Sequence, residues 1–343
     1  MGYRLTGERF DALLAEWAKS YAIFAPTRIP EGGPFSDADI VRYGEVACAR
    51  DLVLDEKSAY SFREFILPLS QTLFFFTEET VKEADIESRA PEGALIFLRS
   101  CDVHALRRLD EIYLRNGFED HYYRRLRERA KFVLIGCEEA FDSCFCVDMG
   151  TNRTDEYDAA IRADEDGTFY FDNRRAEWDE LFSRVGAAVE TAEIPFVSET
   201  KTRVSVPEDL SLDVMDAPMW EEYDGRCINC GRCNFVCPTC TCFTMQDVFY
   251  TDNGRVGERR RVWASCMVDG YTDVAGGGSY RKGNGQRMRF KNLHKIHDYK
   301  ERFGYHMCVG CGRCDDICPE YISFSESIGR MGEAMKSLAA KEA

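Results

Sequence analysis

Apolar residues recur at helical spacing near the start of the chain. Phe10, Leu13, Leu14 and Trp17 predict a helix between Gly7 and Ala22. Further on, the continuous apolar runs Ala94 to Leu98 and Phe132 to Ile135 read as strands buried on both faces. Between them, Leu106, Leu109 and Ile112 mark one face of a helix from Val103 to Arg115. A strand–helix–strand unit of this length implies a parallel pair joined by a right-handed crossover. Ala160 to Arg162 and Thr168 to Phe171 read as a hairpin turned by Asp164, Glu165, Asp166 and Gly167. Ser61 to Pro68 and Leu73 to Phe76 read as short strands whose rings belong to a core. Residues 1–205 are therefore expected to form an α/β domain with a partly parallel sheet.

The pattern then changes. Glu199 to Asp224 is acidic, carries Pro207 and Pro218, and reads as a linker. Residues 206–343 are expected to form a second, mainly helical domain, with a helix from Ser325 to Ala339. The whole is thus a mixed α+β and α/β chain of two domains, in keeping with 343 residues of which 45% are hydrophobic.

Cysteine changes this picture most. The chain holds 16, too many for an ordinary intracellular protein and too few for a disulfide scaffold of this length. Cys227, Cys230, Cys233 and Cys237 precede Pro238, and Cys308, Cys311, Cys314 and Cys318 precede Pro319, with the same C-x2-C-x2-C-x3-C-P spacing. That spacing wraps [4Fe-4S] clusters in two-cluster ferredoxins, where the fourth cysteine of each run serves the other cluster. The expected ligand sets are Cys227, Cys230, Cys233 and Cys318 for one cluster, and Cys308, Cys311, Cys314 and Cys237 for the other. The alternative of another class is a zinc-stabilised scaffold, although zinc knuckles lack a fourth cysteine at this offset. Gly231, Gly310 and Gly312 permit the left-handed backbone that turns N–H groups towards cluster sulfur.

A second set of thiols is less regular. Cys101 follows the first buried strand and Cys137 the second, at the sheet edge where ligands collect in α/β folds. Cys144 and Cys146 lie in the loop that follows. Together the four are either ligands of a third [4Fe-4S] cluster or buried free thiols. Cys240, Cys242 and Cys266 are either alternative cluster ligands or, the reading favoured here, packing or shielding thiols, and Cys48 stands alone. His104 and His306 each stand beside a candidate cluster cysteine, and His294 and His297 read as surface histidines.

Charge and hydropathy narrow the partners. A net charge of −16 argues against nucleic acid. Between Arg255 and Arg302, however, 12 Lys/Arg face 5 Asp/Glu, a local excess of +7. That segment is either a solvated loop or a patch that offsets cluster charge or docks a partner. No apolar run reaches membrane length and the first ten residues hold no signal-peptide core, so the expectation is a cytoplasmic chain with no membrane insertion. No Gly-x-Gly-x-x-Gly follows a strand, and no sirohaem or nickel motif is visible. The chain is expected to bind no FAD, NAD or sirohaem alone and to be a subunit without catalysis of its own.

Several of these segments resemble one family. Ser61 to Pro68, Leu98 to His104, Phe141 to Cys146 with Met149 and Gly150, Cys237 to Cys242 and the two cysteine runs are similar to the iron–sulfur A subunits of anaerobic sulfite reductases. Iron–sulfur beta subunits of sulfhydrogenases belong to the same broader group. The resemblance runs from about residue 8 to about residue 330. Its most specific parts are Asp142 to Cys146 and Leu109 to Asn116. Ser100 stands where the family usually has proline. The resemblance implies a three-subunit cytoplasmic complex for anaerobic sulfite reduction. A flavin subunit would oxidise NADH, this subunit would relay the electrons, and a sirohaem subunit would reduce sulfite. The alternative within the group is the same relay serving a hydrogenase or sulfhydrogenase.

Overall fold

The helix expected from Gly7 to Ala22 forms over Gly7–Trp17 in a computed structural model of the chain, which describes residues 1–33, 37–84 and 93–342. Phe10, Leu13, Leu14 and Trp17 are all buried on its inner face. It stops early because Ser20 turns back onto the Trp17 carbonyl and the aromatic and β-branched run Tyr21–Ile29 takes over as a strand.

That strand joins an eight-stranded sheet in the first of two compact units, made of Met1–Leu67, Ile86–Phe141 and Gly150–Thr200. From one edge to the other the order is Ala188–Val189, Gly2–Leu5, Phe169–Asn173, Ala159–Ala163, Ala130–Ile135, Gly93–Arg99, Tyr21–Ile29 and Ile40–Glu45. The four strands from Ala159–Ala163 to Tyr21–Ile29 are parallel, and the outer pairings are antiparallel. Leu95, Phe97, Val133 and Ile135 pack with Phe10, Trp17, Trp178 and Phe182. Ile96, Leu98, Phe132 and Leu134 are buried as well, so both faces are covered and the two runs are apolar throughout. Helix Ser100–Leu114 begins directly at the end of strand Gly93–Arg99. The expected hairpin is present: Asp164 and Thr168 pair across the turn, and Gly167 takes φ +80°.

Ser61 to Pro68 is not a strand. It holds a short 3-10 helix, Phe62–Phe65, closed by the Ile66 N–H on the Arg63 carbonyl, with Phe62 and Ile66 both fully buried.

The second unit gathers Pro68–Asp85, Asp142–Met149 and Lys201–Ala343. Its helices are accompanied by a sheet that the sequence pattern did not announce there. Strands Phe243–Phe249, Gly257–Trp263, Ser70–Phe76 and Val81–Glu83 form an antiparallel sheet in that order. The basic run at 259–261, for which a solvated loop was one of two expectations, is part of a central strand. Its charges find partners there: Arg259 pairs with Asp247 at 2.7 Å and buried Arg261 donates to Gln71 at 2.9 Å. The unit also holds helices Glu222–Arg226, Asn284–Leu293, Tyr299–Phe303 and Phe324–Glu342, with a π-turn at His294–Asp298. Much of the acidic stretch read as a linker is core. Val214, Ala217 and Trp220 are buried with Met288, Ile296 and Ile328, and the Trp220 indole donates to the Val214 carbonyl at 2.7 Å. Among the described residues no helix is long and apolar enough to cross a membrane.

Candidate iron–sulfur sites

The two regular cysteine runs fold as the same loop twice. In the first, Cys227 caps helix Glu222–Arg226, Gly231 turns left-handed at φ +75°, and the four-residue helix Arg232–Phe235 carries Cys233. In the second, Gly312 turns left-handed at φ +69° and helix Arg313–Asp316 carries Cys314. Glycine is required at Gly312 on two grounds. A side chain would be strained at this φ, and a Cβ would lie 2.3 Å from the Ser143 carbonyl oxygen. The turn also aims backbone donors at sulfur, as where the Gly310 N–H meets Cys308 Sγ at 3.4 Å.

Each loop wraps a cavity. The first, of about 480 Å³ including open solvent, is lined by Cys227, Cys230, Cys233, Cys314 and Cys318 with Met267, Met288 and Phe324. The second, of about 350 Å³ on the same measure, is lined by Cys233, Cys237, Cys308, Cys311 and Cys314 with Phe145 and Lys295. Cys318, the last cysteine of the second run, therefore faces the cavity of the first run, and Cys237 faces that of the second. Cys233, Cys314, Lys291 and Phe324 line both, so the cavities are neighbours.

The donor set fits a cluster better than a single ion. Among the described residues no three His, Cys, Asp or Glu side chains are placed to hold one metal ion. Thiols spread around one void suit a cubane, in which each iron takes one thiolate.

Two lysines that sequence reasoning passed over shape the electrostatics. Lys291 and Lys295 are 4% and 3% exposed, and both face the thiols. Burial opposes charge on Lys291, but Cys233 and Cys314 outweigh it and hold its pKa well above the usual value. Burial likewise opposes charge on Lys295, and Cys237, Cys240 and Cys308 raise its pKa. Lys295 also donates to Thr239 Oγ1 at 3.0 Å. Among the thiols, a hydrogen bond from Cys240 holds Cys237 well below its ordinary pKa, against burial, while burial pushes Cys308 up to about 12. The signal for the lysines was their i, i+4 spacing, which puts them on one helical face.

The second set of thiols is divided between the units. Cys101 is the second residue of helix Ser100–Leu114, and Cys137 follows strand Ala130–Ile135 and accepts from Arg99 Nη1 at 3.2 Å, both within the first unit. Cys144 and Cys146 are buried in the second unit, where the Phe145 N–H donates to the Gly310 carbonyl at 2.8 Å. The histidines have other work. His104 and His306 hold the carbonyls of Arg153 and Ile296 at 2.8 and 2.7 Å. His294 stacks on Phe290, and burial pushes its pKa down to about 4. His297 pairs with Asp298 and Cys48 with Asp51.

Residues 226–322, the segment that holds both loops, match the 4Fe-4S dicluster domain family. The chain is also similar to the protein named Sulfhydrogenase 2 subunit beta of Pyrococcus furiosus, at 27% identity over 323 residues that span 88% of this chain and 92% of that one. No solved structure matches. The chain is an iron–sulfur electron-transfer protein related to that beta subunit.

Proposed function

We propose that the chain is the relay subunit of a multisubunit oxidoreductase and holds two [4Fe-4S] clusters with exchanged fourth ligands. Cys227, Cys230, Cys233 and Cys318 hold one; Cys308, Cys311, Cys314 and Cys237 hold the other. The observation that carries this reading is the crossing of the two cavities, each lined by three cysteines of one run and the last two of the other, with the final cysteine of each run facing only the other run's cavity. Such clusters pass electrons singly, at potentials set by their surroundings. The polypeptide supplies the rest. Met267, Met288 and Phe324 give the first cavity apolar walls, and buried Lys291 and Lys295 offset thiolate charge.

The complex we favour is an anaerobic sulfite reductase, with a flavin subunit that oxidises NADH and a sirohaem subunit that reduces sulfite. Asp142 to Cys146 and Leu109 to Asn116 support it by their resemblance to that family. A second reading, the beta subunit of a hydrogenase or sulfhydrogenase, is favoured by the similarity to the Pyrococcus protein. Anaerobic co-purification from the native cell decides between them: a sirohaem partner supports the first, a nickel partner the second. In either case the isolated subunit with intact clusters turns over neither NADH nor sulfite until its partners are added. Turnover by the pure subunit overturns the relay.

A further inference from the structure

Five cysteines of the second unit line neither cavity: Cys144, Cys146, Cys240, Cys242 and Cys266. Cys240 supports Cys237 through a hydrogen bond. Cys242 and Cys266 make a different arrangement. Cys242 directly precedes strand Phe243–Phe249, which pairs Phe243 with Trp263 in the neighbouring strand. One step past that pair, the Ala264 N–H donates to the Cys242 carbonyl at 3.0 Å. The chain beyond Ala264 then carries Cys266 alongside Cys242, and the two free thiols share a hydrogen bond. Asn234 fixes the inner partner, donating at 3.1 Å to Cys266 Sγ and at 3.0 Å to Ser265 Oγ. The Tyr271 hydroxyl bonds Cys242. Cys266 is 5% exposed, whereas Cys242 is half-buried between residues with exposed rings, Phe243 and Tyr271.

We propose that Cys242 and Cys266 form a thiol–disulfide exchange site that takes a low-molecular-weight disulfide as substrate, with Cys242 attacking and Cys266 resolving. The division of labour follows from position: Cys242 is the sulfur nearer solvent, and hydrogen-bond donors on two sides stabilise its thiolate. The Cys266 hydrogen bond, with smaller help from Tyr271 and Lys295, lowers the Cys242 pKa to about 6 against burial. The same hydrogen bond and burial raise that of Cys266, which stays protonated. An attacking thiol works best with a pKa near the ambient pH.

The exchange balances without a metal. The Cys242 thiolate attacks one sulfur of R–S–S–R, forming a mixed disulfide and releasing R–S⁻. Cys266 gives up its proton and attacks Cys242 Sγ. The S–S bond of the pair closes to about 2.05 Å, and the second R–S⁻ leaves and takes up that proton. One substrate disulfide is reduced to two thiols as two protein thiols are oxidised to one disulfide. The site does not depend on the relay reading, because electrons enter and leave through thiols.

The test uses full-length protein prepared anaerobically with its clusters, challenged with glutathione disulfide. Differential alkylation and peptide mass spectrometry read the thiols, and iron is measured in parallel. The expected result is a Cys242–Cys266 disulfide that dithiothreitol reverses, with iron unchanged. Cys266→Ser should trap glutathione on Cys242, whereas Cys242→Ser should leave Cys266 unmodified. Alkylation of Cys242 should reach half its maximal rate at a lower pH than that of an ordinary thiol. The proposal is overturned if both thiols of the wild-type protein stay alkylatable in excess glutathione disulfide, or if either variant loses about four iron, which would make that cysteine a cluster ligand.

Discussion

Lys291 and Lys295 place two positive charges on one buried helical face, and that face lines the thiol cavities. Adding an electron to a cluster there is favoured by their field. Lys291→Met keeps the apolar stem and removes the charge, so the potential of the neighbouring cluster should fall. A loss of about 1.4 kcal/mol of such stabilisation lowers a one-electron couple by about 59 mV. Redox titration followed by electron paramagnetic resonance measures it; a potential that stays put or rises would remove the lysine from the electrostatics. Gly312 acts through geometry instead. Gly312→Ala should cost at least about 1–2 kcal/mol for the left-handed backbone alone. The clash at 2.3 Å with the Ser143 carbonyl adds to that. The readouts are the unfolding midpoint and retained iron. Gly150→Ala, at φ +64° with open space around its Cβ, controls for backbone strain without the clash.

At the scale of elements, the strand Gly257–Trp263 decides how the basic segment behaves. Arg261 is buried against Gln71, whereas Arg255 is a surface residue with 65% of its side chain exposed. Arg261→Glu puts a carboxylate in a buried site shaped for a donor and should destabilise the second unit by at least about 1–3 kcal/mol. Arg255→Glu should stay within about 0.5 kcal/mol. Denaturant titration of the two variants separates them, and equal effects would contradict this placement. The same strand shows why only part of the fold was legible. Ala94 to Leu98 and Phe132 to Ile135 announced themselves because burial on both faces leaves a run of apolar residues. Gly257–Trp263 is as central in its own sheet, but its arginines find partners across the strands, so its local pattern reads as loop. Ser70–Phe76 was visible as a strand but not as part of the second unit. Its partners are distant: Thr72 meets Glu258 across 186 positions, a pairing no local window contains.

For the whole molecule, the cysteine spacing carried the most information, since a cluster demands four thiolates at fixed reach and tolerates few sequences. The ending Cys-Pro in each run is what points to the exchange between runs that we propose. The placement of Lys291 and Lys295 was not legible, because charge alone does not say which face of a helix turns inward. Nor was the Cys242–Cys266 pair, which only the strand register brings together. Adjacent cavities with shared walls make the second unit a short path for single electrons. The most direct measurement is the iron, acid-labile sulfide and zinc content of the full chain prepared anaerobically. Two clusters require iron and sulfide in equal amounts, at least about 8 of each per chain, with zinc absent. A colourless protein carrying zinc and no sulfide would contradict the relay at its root.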